Sequence, residues 1–122
     1  LPSIREMRGN KDYGALQVTG KVDCLEGKVV VDHKTTSRVD LERYLEGCQW
    51  RFYLDIFDAD LFRWHIFEIK EIGEKTYQVA APQTLEARRY PELGADCARL
   101  ADEFHDFAIR VGLPDSRLED AA

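Results

Sequence analysis

The chain has 122 residues, enough to enclose one hydrophobic core and too few for two. Its 17 Lys and Arg stand against 23 Asp and Glu, a net charge of −6, which excludes a protein that merely coats DNA with basic surface. No apolar run approaches the roughly 20 residues a membrane-spanning helix needs.

The opening segment, LPSIREMRGNKDYG, lacks the basic-then-apolar form of a signal peptide and shows no obvious strand or helix of its own. With Leu at position 1 it reads as a trimmed start or a piece of a longer chain. From Ala15 to Asp23 the residues alternate, Leu16, Val18 and Val22 on one side and Gln17, Thr19, Lys21 and Asp23 on the other, which predicts a half-buried strand. Glu26-Gly27-Lys28 is a turn, and Val29 to Lys34 reads as a central strand, so the two form a hairpin. Asp40 is a candidate N-cap. Leu41, Tyr44, Leu45, Cys48, Phe52 and Ile56 recur at helical spacing, predicting one helix of roughly 17 residues.

Leu61 to Ile72 is aromatic and β-branched, and Gly73-Glu74-Lys75 turns it into Thr76 to Pro82, a second hairpin. A connection from Pro82 to Pro91 leads to a final helix. Its stripe runs Leu93, Cys97, Leu100, Ala101, Phe104, Ala108 and Val111, stopped by Gly112 and Pro114. The order is strand, strand, helix, strand, strand, helix. Three cysteines, Cys24, Cys48 and Cys97, offer neither a disulfide framework nor a CxxC pair for zinc or an iron-sulfur cluster, and read as thiols of a reducing compartment.

Asp23 ends the first hairpin strand and Asp32 stands near the end of the second, so bringing them together requires an offset, a bend or a bulge. Asp32 and Lys34 share one face of an extended strand, with His33 on the other. Two carboxylates and an amine in one cleft suit Mg²⁺ together with a phosphate, the lysine orienting water or neutralising charge. The same residues equally suit a turn cap and a surface ion pair. Gln49 and Tyr53 lie one turn apart on the following helix, as a site edge or as a solvated glutamine beside a core-edge tyrosine.

In order, Gly20-Lys21-Val22-Asp23, Asp32-His33-Lys34-Thr35 and Gln49-Trp50-Arg51-Phe52-Tyr53 resemble the G-x-x-D, D-x-K-T and Q-x-x-x-Y motifs of RecB-like nucleases. Those nucleases, with phage-type exonucleases, belong to the PD-(D/E)XK superfamily. The resemblance covers roughly residues 15 to 80. It implies an α+β fold with a restriction-endonuclease-like core, a mixed central sheet of hairpin strands flanked by helices in three layers, α/β/α. The whole chain would be one such domain, without the family's usual N-terminal helix or as part of a longer protein.

The resemblance also implies that Asp23, Asp32 and the main-chain carbonyl of His33 ligate Mg²⁺ or Mn²⁺ and that Lys34 positions or activates water. Gln49 and Tyr53 would support the site and contact DNA, and Thr35 would orient the strand end or touch phosphate. Val22 stands where the superfamily has its proline, and upstream only Glu6 offers an additional acid. Three cysteines cannot hold the four-cysteine iron-sulfur cluster of some members.

The expected function is a metal-dependent deoxyribonuclease, most simply an exonuclease, in recombination, repair or phage replication, in a bacterial or phage-infected cytoplasm. DNA is its partner, a fused domain or protein partner is possible, and no membrane is involved. The alternative is a catalytically silent nuclease fold that binds a protein or competes with DNA, which the charge of −6 favours. Trp50, Phe52, Phe57, Phe62, Trp64 and Phe67 are expected in the core, with Trp50 the first exception; His65 is expected half-buried, and Arg88 and Arg89 in a solvated loop.

Overall fold

The computed structural model describes residues 3–112. Strands β1 (Ser3–Asp12), β2 (Gln17–Glu26) and β3 (Val29–Thr36) come first, then helices α1 (Leu41–Glu46) and α2 (Gln49–Ile56). Strands β4 (Leu61–Gly73), β5 (Thr76–Val79) and β6 (Gln83–Arg88) follow, and helix α3 (Leu93–Val111) ends the series. They form a mixed α+β fold. The sheet runs β1-β2-β3-β4-β5, with β6 also paired to β4; only β3 and β4 are parallel, joined by the helical crossover that a parallel pair requires.

Both predicted hairpins form. Gly27, at φ 59°, makes the first turn, and Glu26 pairs with Val29, the two-residue connection whose positive φ matches strand twist. Helix α3 follows its predicted stripe except at its end: Leu93, Cys97, Ala101 and Ala108 are buried, Leu100 and Phe104 pack beside them, Val111 is exposed, and Gly112 closes the helix in the left-handed conformation. Pro114 lies outside the described residues.

Three elements differ from the expectation. The opening segment is a ten-residue edge strand, β1, not structureless chain. Its sequence hides this because Arg5, Glu6, Arg8, Asn10 and Lys11 leave no apolar alternation; its register comes from β2, and Lys11 bonds Asp55 on α2. The single 17-residue helix is two, parted at Gly47, whose backbone is extended (φ −63°, ψ 152°). Glycine weakens a helix there, and side chains take the freed carbonyls: Trp50 Nε1 donates to Leu45 O at 3.0 Å and Arg51 to Gly47 O at 3.0 Å. The connection after Pro82 contains β6, in which only Leu85 and Ala87 turn toward the core.

Helix α2 lies on the sheet and α3 packs on α2. Phe52 is the hinge of that stack, fully buried, with Tyr13 edge-on at 5.6 Å and Phe104 at 6.2 Å between ring centroids. Beneath it Val18, Val22, Val30, Phe62, Trp64 and Ile66 supply the sheet side of one core. Trp50, expected to be the exception among the aromatics, is buried, its ring covered by the Arg51 guanidinium at 4.3 Å. Phe67 is the exception instead: next to Ile66 on β4, it faces away from the side that bears Trp64 and Ile66 and is only half-buried. The three-layer α/β/α arrangement is not formed by the described residues. Both long helices stack over one face, the one that carries Val18, Val22, Val30, Phe62, Trp64 and Ile66 and so gives their apolar stripes a single surface to bury against.

Gly20 in β2 is where α2 comes closest. A Cβ there would stand 2.4 Å from Tyr53 Cε1, so glycine is required by contact with a buried ring. Gly20→Ala is expected to cost about 1–3 kcal/mol in urea unfolding, as overpacking does. Gly94→Ala, at an exposed position of α3 with nothing nearer than 3.9 Å, should leave stability unchanged or raise it by up to ~1 kcal/mol.

Candidate functional site

Beyond the pair Cys24 and Val31, β2 and β3 no longer form a ladder, although β3 stays paired to β4 through Thr36. The divergence creates the site. Continuing the hairpin register sets Asp23 opposite Asp32, so no offset is needed. The bend that the sequence did call for is present: Val18 and Val22 belong to the core under α2, whereas past Asp23 it is Leu25, paired with Val30, that packs on that core. The facing point of β1 breaks too. Glu6 has φ 53° and forms no ladder pair, while Arg5 and Met7 on either side pair with Cys24 and Val22.

Groups that lose ladder partners find others. The His33 amide donates to Asp23 Oδ2 at 3.0 Å, and the Lys21 amide to the Tyr53 hydroxyl at 3.3 Å. Gln49 Nε2 reaches that hydroxyl at 3.5 Å. Gln49 and Tyr53 are thus brought to the site as the motif spacing predicts, but Tyr53 is buried and acts as a strut between α2 and β2. Thr35 is exposed on the next turn of chain and lines a cavity of about 340 Å³ with Lys34, Arg43, Tyr44, Gln49 and Trp64. A second cavity, about 540 Å³, is lined by Arg5, Glu6, Asp23 and His33. The carboxylate pair stands between the two.

Asp32 is the one buried charged residue among the described residues. Lys34 Nζ lies 3.2 Å from its Oδ2, an ion pair out of line for a hydrogen bond, so that oxygen is buried without a hydrogen-bond donor. Burial pushes Asp32 up to about 6 from the ordinary 3.8, against the opposing charge of Lys34; its hydrogen bond and charge contact with Asp23 raise it further. For Asp23, burial also works upward, but the His33 amide, the bond to Asp32 and the charges of His33 and Lys34 outweigh it, and its carboxyl is held below 3.8. The pair therefore divides into a readily ionised acid and a reluctant one.

That donor set suits a hard divalent cation: two adjacent carboxylates, one with an orphaned buried oxygen, beside main-chain oxygen. Asp23, Asp32 and the His33 carbonyl would hold it. Among the described residues no group of three or more His, Cys, Asp or Glu side chains is assembled for a metal ion. Glu6 and Arg5 are site neighbours that the motif spacing did not reveal, since their strand was not legible. Arg89 is not a solvated loop residue: it donates to Ala59 O and Leu54 O at 2.9 and 2.8 Å and fastens the end of α2, while Arg88 is exposed. His65 is half-buried as expected and stacks on His33 at 5.4 Å.

No family model matches the chain, and no curated protein matches it. Among solved structures it is similar to the crystal structure of SSO0001, with a TM-score of 0.58 and 18% sequence identity over 83% of this chain. The two share a fold. The chain spans about half the length of that protein, 48% of it.

The raised Asp32 carboxyl has a consequence for stability. Folding favours its protonated form, so its contribution is most favourable below about pH 4 and declines as pH rises through about 6. Asp32→Asn should therefore stabilise the metal-free protein by roughly 1–3 kcal/mol at pH 7.5 and by nothing at pH 3.5. Urea titrations of both proteins at the two pH values measure this, and equal stability at pH 7.5 would contradict it.

Proposed function

We propose that this chain is a divalent-metal-dependent nuclease domain that hydrolyses phosphodiester bonds in DNA. The observation that carries the reading is the orphaned, buried Asp32 Oδ2 beside Asp23 and Lys34, at the point where β2 and β3 part and between two cavities. A buried carboxylate oxygen that lacks a hydrogen-bond donor costs stability even beside a cation, and suits a ligand that supplies the missing partner. The motif order, with Gly20 admitting Tyr53 so closely, supports the RecB-like reading within the PD-(D/E)XK superfamily.

A bound Mg²⁺ or Mn²⁺ would supply Lewis-acid polarisation of the phosphate and an activated water. Asp23, Asp32 and the His33 carbonyl would hold the ion. The His33 amide fixes the Asp23 carboxylate, so one ligand arrives preset. Lys34, steered by Asp32, presents its amine to the attacking water and to charge building on the phosphate. Tyr53 and Gln49 keep the β2 end in place, and Thr35, in the Lys34-side cavity, is the candidate for a phosphate oxygen. Action from DNA ends, in recombination, repair or phage replication and in a bacterial or phage-infected cytoplasm, follows from the resemblance. No helix among the described residues is long and apolar enough to cross a membrane.

A second reading is a silent nuclease fold that binds a protein. The overall charge of −6 favours it.

Lys34→Ala decides between them. Parent and variant, both checked for folding, are given end-labelled linear and circular DNA, single- and double-stranded, with Mg²⁺, Mn²⁺ or EDTA. Metal-dependent cleavage by the parent, falling at least about a hundredfold in the variant, is expected, as for loss of one group that stabilises transition-state charge. Absent or unchanged cleavage would reject a working nuclease in favour of the protein-binding module.

A further inference from the structure

The helices cover the face of β1 and β2 that bears Met7, Gly9, Gly20 and Val22, and leave the other face open. On that face Arg8 and Lys21 are direct cross-strand partners, and both are exposed. Like charges placed opposite each other on a sheet destabilise it. Several other cations of the chain are ion-paired, Lys11 with Asp55, Lys28 with Asp58, Arg63 with Glu86 and Arg99 with Glu103. Among the described residues neither Arg8 nor Lys21 has a carboxylate within ion-pair distance.

The next row of the two strands is Glu6 and Asp23, at the cavity on the Asp23 side of the carboxylate pair. Alternate positions on a strand are about 7 Å apart, so the double cation lies one short step from the candidate site. Arg5 extends it. It pairs with Cys24, and Cys24 stands with Val31 on the open face past the bend at Asp23; Arg5 lines the same cavity and has no ion-pair partner among the described residues. A chain of net charge −6 thus places three uncompensated cations together beside its two convergent acids.

We propose that Arg5, Arg8 and Lys21 on the open face of β1 and β2 form a track for the phosphate backbone of a nucleic-acid strand running to or from the Asp23–Asp32 site. The choice of nucleic acid rests on the nuclease reading. The charge complementarity is local: phosphates meet Arg8 and Lys21, whose mutual repulsion they relieve, and the metal-holding acids lie at the end of the track.

Arg8→Glu separates this role from folding, because it converts the like-charge pair into an ion pair with Lys21. Binding of fluorescein-labelled single-stranded and duplex oligonucleotides is measured in EDTA across a range of KCl concentrations, alongside thermal unfolding. Arg110→Glu on α3, far along the chain and with the same change in net charge, is the control. We expect Arg8→Glu to weaken binding at low salt about tenfold or more and to flatten the log K against log salt slope by about 1 to 2. Its melting temperature should be unchanged or higher, and Arg110→Glu should stay within about threefold of the parent. Equal binding by parent and Arg8→Glu, equal losses in both variants, or a parent that binds neither oligonucleotide would overturn the track. Metal-dependent cleavage that depends on Lys34 is read separately, so the track can fail while the nuclease reading stands.

Discussion

Everything distinctive in this molecule follows from the parting of two strands. A hairpin that stayed zipped would satisfy its amides with carbonyls and would have no room for acids between them. Here the ladder stops at Cys24 and Val31, and the unpaired backbone is repaired by side chains: Asp23 takes the His33 amide, and Tyr53 takes that of Lys21. Both repairs lie within or next to the motif residues. Buried backbone groups must be paired, so the same bonds that close the backbone account also place the carboxylate and the phenol. The glycine two residues before Val22 belongs to this arrangement, because no larger residue would let Tyr53 reach the gap.

The opening of the sheet is held from outside by a second set of polar contacts. Tyr13, just past β1, donates to Asp55 Oδ2 at 2.6 Å, and Lys11 pairs with the same oxygen at 3.0 Å. Burial, together with Asp55, pushes the Tyr13 hydroxyl well above the usual phenol range, and the Cys97 thiol, buried on α3, is pushed up to about 12 mainly by burial. These groups stay in their protonated forms at neutral pH, and β1, α2 and α3 meet around them beside the Lys11–Asp55 pair. The cluster fixes where α2 sits, and α2 in turn fixes Tyr53.

The candidate site was legible in the sequence where its chemistry lies on regular elements with a strong hydrophobic period. The hairpin, the positions of Asp23, Asp32 and Lys34, and the one-turn spacing of Gln49 and Tyr53 could all be read. The convergence of the two acids was legible only as a need for an offset, a bend or a bulge, because the place of the bend, where the core-facing residue switches from Val22 to Leu25, shows only once β2 is paired. Glu6 and Arg5 were hidden for a different reason. An edge strand with polar residues on both faces carries no period at all, and only pairing with β2 makes it a strand. The break at Gly47 was masked because its flanks keep the helical spacing across an interruption of two residues. The helix–sheet layering was illegible because an uncovered face declares itself only once strands are placed side by side.

That break gives the groove beside Lys34 a movable wall. Helix α1 buries none of its six residues, whereas α2 buries Trp50, Phe52, Tyr53 and Leu54. What ties α1 down is its Asp40 cap, the bond from Trp50 to Leu45 O, each worth on the order of 1 kcal/mol, and Tyr44, half-buried with its ring 6.0 Å from that of Trp64. Local opening free energy follows buried contact, so α1 opens at less cost than α2, which seats Tyr53. Arg43 and Tyr44 ride on it. The Lys34 side of the site is thus walled by the more lightly held of the two helices, a soft jaw set against a firmer anvil.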